Sequence, residues 1–225
     1  MKQPFFHSER AVTLIGAGTV CADRLALARS LAPVIVSADG GTDAALAHGL
    51  MPEAVVGDMD SISAQARAKL PAQRICQISE QDSTDFDKAL RNIAAPLVIG
   101  VGFEGDRIDH MLACYSVLVQ RHVLPCVLLS GAQIVFHAPP DLALDLAPGT
   151  LVSLFPMARV SGRSTGLKWP VDGLEMAPNG RVGTSNRATG PVRLQMDGPG
   201  MLVILPVETL PLVAKALAEP NSSAR

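Results

Sequence analysis

Short apolar runs alternate with segments of helical periodicity over the first 138 residues. The runs are VTLIG (12–16), VIVSA (34–38), AVVG (54–57), ICQIS (75–79), LVIGV (97–101) and CVLLS (126–130). The segments between them predict helices over 21–31, 43–48, 64–70, 83–93 and 108–120. Strands that are apolar throughout and separated by helices are typical of a parallel sheet covered on both faces. Residues 1–138 are therefore predicted to form a doubly wound, Rossmann-like α/β domain.

The pattern changes after residue 138. LVSLF (151–155), VRLQMD (192–197) and MLVILPV (201–207) are short and are separated by Gly, Pro and Asn. In VRLQMD the apolar and polar residues alternate, as expected for a strand with one buried face. Residues 139–225 are therefore predicted to form a smaller antiparallel β domain, either a sandwich or a barrel.

Composition excludes several classes of protein. The formal net charge of -2 gives no global basic field for nucleic acid. The first ten residues lack the pattern of a signal peptide, and no apolar run approaches the ~18 residues that cross a bilayer. We expect a cytoplasmic protein that binds neither nucleic acid nor membrane. The four cysteines show no CxxC spacing and are expected to be reduced and buried.

Acidic residues follow successive predicted strands. Asp39-Gly40-Gly41 follows the second run, Asp58-Met59-Asp60-Ser61 the third, and further acids follow the next two. In an open parallel sheet, ligands bind outside the carboxyl ends of the strands. Crowded carboxylates repel one another, and a bound cation is the ordinary remedy. Oxygen ligands without a His or Cys cluster favour Mg²⁺, bound through a few carboxylates and substrate phosphates.

Each acid also has a simpler interpretation. Asp39 suits a turn or a helix N-terminus, and Asp82 is expected to cap the helix over 83–93. Asp58 and Asp60 indicate metal binding more strongly, because only one of them can cap a given helix. Lys88 and Arg107 suit either surface ion pairs or contacts to phosphate.

A partial dinucleotide-binding pattern lies near the N-terminus. Gly16 and Gly18 stand between a strand and a helix, and Asp39 lies where a ribose-binding acid would fall. The third small position is Cys21, so the pattern is incomplete. It leaves a dinucleotide-dependent oxidoreductase as an alternative.

Taken together, five motifs resemble the thiamine pyrophosphokinase family. They are ADGGTDAAL (38–46), GLMPEAVVGDMDSIS (49–63), QDSTDFDKAL (81–90), GDRIDHMLA (105–113) and GTSNRATG (183–190). The resemblance implies an α/β nucleotide-binding domain followed by a β-sandwich, in a homodimer. It also implies a Mg²⁺-dependent transfer of diphosphate from ATP to the hydroxyl of thiamine.

The resemblance also implies roles for individual residues. Asp58, Asp60 and Asp85 match the acids that hold metal and phosphate, and Arg107 and Asp109 match the family's catalytic Arg-x-Asp. The remaining matches are Asp39, Gly40, Gly41, Gln81 and Lys88 on the ATP side, and Ser185 and Asn186 on the thiamine side.

The sequence departs from the family at two positions, Asp43 and Asp106, where the family often has Asn and Gly. Trp169, the single tryptophan, could stack on a ring or pack in the core. Two alternatives share the Asp58 and Asp60 chemistry: a diphosphotransferase acting on another alcohol, and a nucleotide sensor without catalysis.

Overall fold

The structure, a computed structural model, describes residues 3–105, 107–121 and 123–219. The chain divides into two compact units, with the boundary between Val117 and Leu118. Asp106, one of the two departures from the family pattern, lies outside the described residues. Among the described residues, no helix combines the length and the apolar character needed to span a membrane.

The first unit alternates strands and helices. In chain order they are β1 (Phe6–His7), β2 (Val12–Ile15), α1 (Ala22–Leu31), β3 (Val34–Ala38), α2 (Gly41–Ala47), β4 (Ala54–Gly57), α3 (Ala64–Lys69), a 3₁₀ turn (Ala72–Arg74), β5 (Ile75–Gln77), α4 (Asp85–Asn92), β6 (Ile93–Ala94), β7 (Val98–Val101) and α5 (Ile108–Gln120), whose last turn passes the unit boundary. Strands β7, β2, β3, β4 and β5 lie side by side in that order, and every pair is parallel.

Burial explains why these strands are apolar throughout. Every residue of β2, β3, β4 and β7 is buried, including Thr13 and Ser37. The hydroxyl of Thr13 donates to the carbonyl of Ala32, and that of Ser37 is paired with Thr42, so neither is left unsatisfied. Because the strands are parallel, their carboxyl ends meet at one edge of the sheet. The predicted parallel sheet is confirmed, and its edge collects the loops that follow β2, β3, β4, β5 and β7.

The cap of α4 differs from the expectation. The hydroxyl of Thr84, not Asp82, accepts a hydrogen bond from the backbone N–H of Asp87. Thr84 has the extended backbone of an N-cap residue and stands directly before the first helical residue, whereas Asp82 lies too far upstream. The prediction for Asp82 was wrong, and Asp85 instead occupies the first turn of the helix.

The second unit is built mainly from antiparallel strands. Its elements are β8 (Cys126–Ser130), β9 (Gln133–His137), β10 (Asp141–Leu144), β11 (Leu151–Pro156), β12 (Gly162–Leu167), β13 (Gly183–Met196), β14 (Met201–Pro206), a 3₁₀ turn (Val207–Thr209) and α6 (Leu210–Ala218). Strands β10, β13, β11, β14, β9 and β8 follow one another in the sheet order, and β12 also pairs with β13. The predicted antiparallel strands are confirmed, in a chain of mixed α/β architecture.

The β8–β9 hairpin belongs to the second unit, although the sequence pattern grouped residues 126–138 with the first. Strand β9 pairs antiparallel with both β8 and β14. An apolar run such as 126–130 fits a parallel or an antiparallel sheet equally well, so the run itself carries no information about its partner.

The cysteines are free, and their burial is uneven. Cys114 and Cys126 are buried and Cys76 is half-buried, but Cys21 is exposed. Cys21 stands at the N-cap position of α1, where the chain leaves the sheet. The expectation that all four are buried was therefore wrong for Cys21.

Candidate active site

Three carboxylates converge at the carboxyl ends of β3 and β4. Asp39 follows β3 directly, and Asp58 and Asp60 follow β4. Each offers one oxygen atom, and these three atoms lie within 4.8 Å of one another. Like charges at this distance raise one another's pKa unless a cation lies between them. The sequence predicted Asp58, Asp60 and Asp85 as metal ligands. The fold brings Asp39 to the same point as Asp58 and Asp60, whereas Asp85 is not one of the three converging acids and is paired with Lys88.

The backbone around these acids is held in an uncommon conformation. Among the described residues other than glycine, only Asp39, Met59 and Ser185 have positive φ angles, of 40°, 71° and 63°. Met59 lies between Asp58 and Asp60, so its left-handed turn sets the direction of both carboxylates. Such conformations are costly and cluster where function requires a fixed geometry. All three residues lie in, or directly beside, positions that the motifs single out.

Asp39 is the most buried of the three acids. It is 1% exposed. Its Oδ2 accepts a hydrogen bond of 3.2 Å from the backbone N–H of Ser61, whereas Oδ1 is buried without a hydrogen-bond partner among the described residues. Burial, and then the charge of Asp85, raise the pKa of Asp39 to about 6. An unpartnered buried carboxylate oxygen beside two further carboxylates fits a divalent cation that prefers oxygen ligands.

The side chain of Lys88 joins two of the acids, Asp58 and Asp85. Its Nζ donates to Oδ2 of Asp58 at 2.7 Å and to Oδ1 of Asp85 at 3.2 Å, and its side chain is 2% exposed. Burial alone would lower the pKa of Lys88, but the two hydrogen bonds outweigh it and raise the pKa. The hydrogen bond from Lys88 lowers the pKa of Asp58, while burial raises that of Asp85. Lys88 therefore makes a buried ion pair rather than a surface one.

Gly57 makes room for this arrangement. A Cβ atom at Gly57 would lie 2.7 Å from Cβ of Asp39 and 3.2 Å from Oδ1 of Asp85. Any side chain at the end of β4 would thus push apart the two acids beside it. Gly57 was not among the predicted site residues, although its place at the end of a buried strand, directly before Asp58, was a signal.

A cavity of about 410 Å³ opens beside the acids, within the first unit. The predicted site residues that line it are Gly40, Asp58, Gln81, Asp85, Lys88 and Arg107. Its apolar part includes Phe86 and Phe103, whose ring centroids are 4.6 Å apart. The cavity thus combines three acids (Asp58, Asp85 and Glu104) and two cations with an aromatic pair, a mixture that suits a nucleotide.

Arg107 and Asp109 lie at the exposed rim. Nη2 of Arg107 donates to Oδ2 of Asp109 at 2.5 Å, and both side chains are about two-thirds exposed. The hydrogen bond from Arg107 holds the pKa of Asp109 at about 2. In this arrangement Asp109 is a weak base, and Arg107 is the member of the pair that reaches the cavity.

Gly16 and Gly18 serve loop packing. A Cβ at Gly16 would lie 2.5 Å from the carbonyl oxygen of Gly102, and one at Gly18 would lie 2.0 Å from that of Glu104. The backbone N–H of Gly18 also donates to Gly102 at 2.7 Å. The glycines let the loops after β2 and β7 meet, which gives the partial dinucleotide-binding pattern a packing role, and both glycines also line the cavity.

Ser185 and Asn186, the residues predicted on the thiamine side, lie in the second unit. Asn186 is 5% exposed, and its Oδ1 accepts from the backbone N–H of Trp169 while its Nδ2 donates to the carbonyl of Trp169. Trp169 itself is 54% exposed, with Nζ of Lys168 4.7 Å from the ring centroid. Trp169 therefore does not pack in the core. Asn186 holds its backbone, and Ser185 is exposed beside them.

Two models of one family match the chain. The model described as "Thiamin pyrophosphokinase, catalytic domain" matches residues 26–128, and "Thiamin pyrophosphokinase, vitamin B1 binding domain" matches residues 136–199. The first match contains the acidic cluster and most of the residues that line the cavity, and the second contains Trp169, Ser185 and Asn186. The two matches follow the order expected of the motifs and together span most of the chain.

Relatives of known name agree with the family models. The chain is 28% identical over 154 residues to thiamine pyrophosphokinase 1 of Oryza sativa subsp. japonica, which covers 60% of this chain and 58% of that protein. It is 27% identical over 161 residues to thiamine pyrophosphokinase 1 of Arabidopsis thaliana, which covers 63% of this chain and 60% of that protein. The matched part therefore spans less than two thirds of the length of these plant relatives.

Solved structures share the fold. Thiamin pyrophosphokinase from Candida albicans superposes with a TM-score of 0.72 at 16% identity, covering 92% of this chain and 95% of that one. Thiamine pyrophosphokinase from Bacillus subtilis gives a TM-score of 0.69 at 21% identity, covering 88% and 98%. With both family models matched in order, we conclude that the chain belongs to the thiamin pyrophosphokinase family.

Proposed function

We propose that this chain is a Mg²⁺-dependent thiamine pyrophosphokinase, which transfers diphosphate from ATP to the hydroxyl of thiamine and releases AMP. The observation that carries the proposal is the convergence of Asp39, Asp58 and Asp60 beside a cavity of about 410 Å³. Family membership supplies the substrates, and the acidic cluster supplies a reason for the metal.

Asp58 and Asp60 are the proposed metal ligands, together with Asp39, and Asp85 lies on the phosphate side. The unpartnered Oδ1 of Asp39 is the atom that most needs a cation. Bound Mg²⁺ would neutralise triphosphate oxygens and so reduce their repulsion of an incoming hydroxyl. Asp85 takes part through Lys88, which holds it beside Asp58.

A positively charged side chain of the protein, Arg107, is also proposed to act on the phosphates of ATP. Arg107 lines the cavity and can offset the charge that builds up on the leaving phosphate. Gln81 and the backbone of Gly40 and Gly41 stand at the same edge and are proposed to orient the nucleotide. The thiamine hydroxyl attacks the β-phosphorus, and the bond to the α-phosphate oxygen breaks as AMP leaves. A dedicated base is not required when the transition state is loose, which suits the low pKa of Asp109.

The thiamine side is proposed to involve Ser185, Asn186 and the exposed ring of Trp169. The positive φ of Ser185 and the two hydrogen bonds between Asn186 and Trp169 fix this surface in one conformation. A cationic substrate ring suits an exposed indole. Asn186 has its amide engaged within the protein, so its proposed part is to support Trp169.

Several finer expectations remain proposals. They are a Rossmann-like fold for the first domain, a β-sandwich for the second, a homodimer and a cytoplasmic location. The parallel order of the first unit and the antiparallel order of the second support the two domain types. The family resemblance supports the homodimer.

One assay tests the function. Purified protein is incubated with ATP, Mg²⁺ and thiamine, and AMP and thiamine diphosphate are measured together. Stoichiometric formation of both supports the proposal. Binding of ATP without AMP release would instead identify a sensor, and activity only with another alcohol would identify a different diphosphotransferase.

The Asp60→Asn variant tests the site within the same assay. We expect it to lose Mg²⁺-dependent AMP formation while keeping the circular dichroism spectrum of the native protein, because Asp60 is exposed and contributes little to folding. Normal turnover by this variant would show that the metal is held elsewhere.

A further inference from the structure

Two hydrogen bonds join helix α2 to the loop between β4 and α3, which carries Asp58 and Asp60 and is called the acidic loop below. Oδ2 of Asp43 accepts a hydrogen bond of 2.9 Å from the backbone N–H of Ser63, and Oδ1 accepts one of 2.5 Å from its hydroxyl. Both carboxylate oxygens of Asp43 therefore bond the same serine. Charged acceptors make the stronger kind of hydrogen bond.

Ser63 closes the loop that carries the metal acids. The loop runs from Asp58 to Ser63, and α3 begins at Ala64. The hydroxyl of Ser63 also accepts from the backbone N–H of Ala66, so it caps α3. Asp43 thus fixes the point at which the acidic loop becomes a helix.

The other end of the loop is fixed independently. The carbonyl of Asp58 accepts from Nε2 of Gln77, and the carboxylate of Asp58 is held by Lys88. Within the described parts of the chain, the hydrogen bonds of Asp60 are local: its backbone N–H donates to Oδ1 of Asp58, and its Oδ1 accepts from the hydroxyl of Ser61. The position of Asp60 therefore depends on two further anchors: the hydrogen bond from the backbone N–H of Ser61 to Asp39, and the point at which the far end of the loop is held.

We propose that Asp43 is a positioning residue for the acidic site, which clamps Ser63 and thereby sets the place of Asp60 relative to Asp39 and Asp58. Asp43 does not line the cavity and is not one of the three converging acids. It acts through hydrogen bonds to the loop, not by contact with a ligand. The inference deepens the proposed function, on which it rests for the metal.

The test must separate position from charge, because Asp43 is itself an acid near the site. Four variants do this. Asp43→Ala removes the clamp and the charge, and Asp43→Asn keeps an acceptor for the N–H of Ser63 without the charge. Ser63→Ala removes half of the clamp and the cap of α3 without changing any charge, and Ser63→Thr keeps the hydroxyl for both.

Mn²⁺ binding to the full chain, followed by electron paramagnetic resonance, is the first readout, and the Mg²⁺ dependence of AMP formation is the second. We expect Asp43→Ala and Ser63→Ala to weaken Mn²⁺ binding about tenfold, the lower end of what losing the group that orients a metal ligand costs. Asp43→Asn and Ser63→Thr should stay within about threefold of the native protein. The native circular dichroism spectrum checks that each variant has folded.

Asp197→Ala is the matched control. Oδ2 of Asp197 accepts from the hydroxyl of Ser161 at 2.9 Å, so this variant loses a similar Asp–Ser contact in the second unit. Its Mn²⁺ binding should be unchanged. Native-like binding by Ser63→Ala, or Asp43→Asn as weak as Asp43→Ala, would assign the effect to charge and overturn the proposal. If the native protein forms no thiamine diphosphate, the proposed function fails, while the Mn²⁺ series still decides the role of Asp43.

Discussion

The Nζ atom of Lys88 lies 2.7 Å from Oδ2 of Asp58, and the lysine side chain is 2% exposed. A buried ammonium group is stable only when it is paired, and this one is paired with an acid of the proposed metal site. Lys88 therefore supplies positive charge to the acidic cluster before any metal binds.

Replacing Lys88 tests this contribution. Lys88→Met should lower the free energy of unfolding by about 2 kcal/mol in EDTA, because Asp58 and Asp85 lose a charged donor while remaining partly solvated. Urea denaturation measures this change. Lys69→Met, at an exposed position of α3, is the control and should change stability by less than about 0.5 kcal/mol. Equal stability of the two variants would mean that the buried ion pair contributes nothing.

The raised pKa of Asp39 predicts a pH dependence of stability. The pKa of Asp39 is about 6 in the folded protein and 3.8 when unperturbed. The contribution of Asp39 to the free energy of unfolding is therefore fully present below about pH 3.8 and is lost as the pH rises through about 6. The loss amounts to at most about 3 kcal/mol. Asp39→Asn should flatten this decline between pH 4 and pH 7 in EDTA. Asp82→Asn, which removes an exposed acid, is the control.

Bound Mg²⁺ should offset the loss of stability that is expected as the pH rises. Because Mg²⁺ competes with the proton for the Asp39 carboxylate, its stabilising effect should grow as the pH rises through about 6. Thermal unfolding with and without Mg²⁺ at pH 5 and pH 8 measures the difference. The same stabilisation at both pH values would remove Asp39 from the metal site.

Gly57 is expected to tolerate no side chain. Gly57→Ala places a methyl group 2.7 Å from Cβ of Asp39, so Asp39 and Asp85 must move apart. We expect at least about a tenfold loss of turnover, with about 1–3 kcal/mol lost in stability. Gly198→Ala, where a Cβ would meet no atom within 4 Å, is the control. A fully active Gly57→Ala enzyme would show that the spacing of these acids is not critical.

Asn186 should affect thiamine and not ATP. Asn186→Ala removes the two hydrogen bonds that hold the backbone of Trp169, which should raise the KM for thiamine about tenfold or more. The unsatisfied buried groups should also cost about 1–3 kcal/mol of stability. Steady-state kinetics with each substrate varied in turn separates the two effects, and Asn179→Ala at an exposed turn is the control. A defect confined to the KM for ATP would contradict the assignment of this loop.

The local pattern of apolar and acidic residues was enough to predict the parallel sheet and the position of the acidic site. Runs of β-branched residues predicted the parallel sheet, and the acids after successive runs predicted one acidic edge, because parallel strands end at the same edge. The spacing of Asp58 and Asp60 marked them as a pair. The motifs indicated the family, which the family models confirmed.

Only the tertiary structure decided which acids meet. Asp39 joins Asp58 and Asp60 because β3 and β4 are neighbours in the sheet, and strand order cannot be read from a run of valines and isoleucines. The sequence pattern likewise did not predict the contact of Lys88 with Asp58, the contact of Asp43 with Ser63 or the pairing of β9 with β14. Each joins residues far apart in the chain, and such contacts follow from packing, which periodicity does not encode.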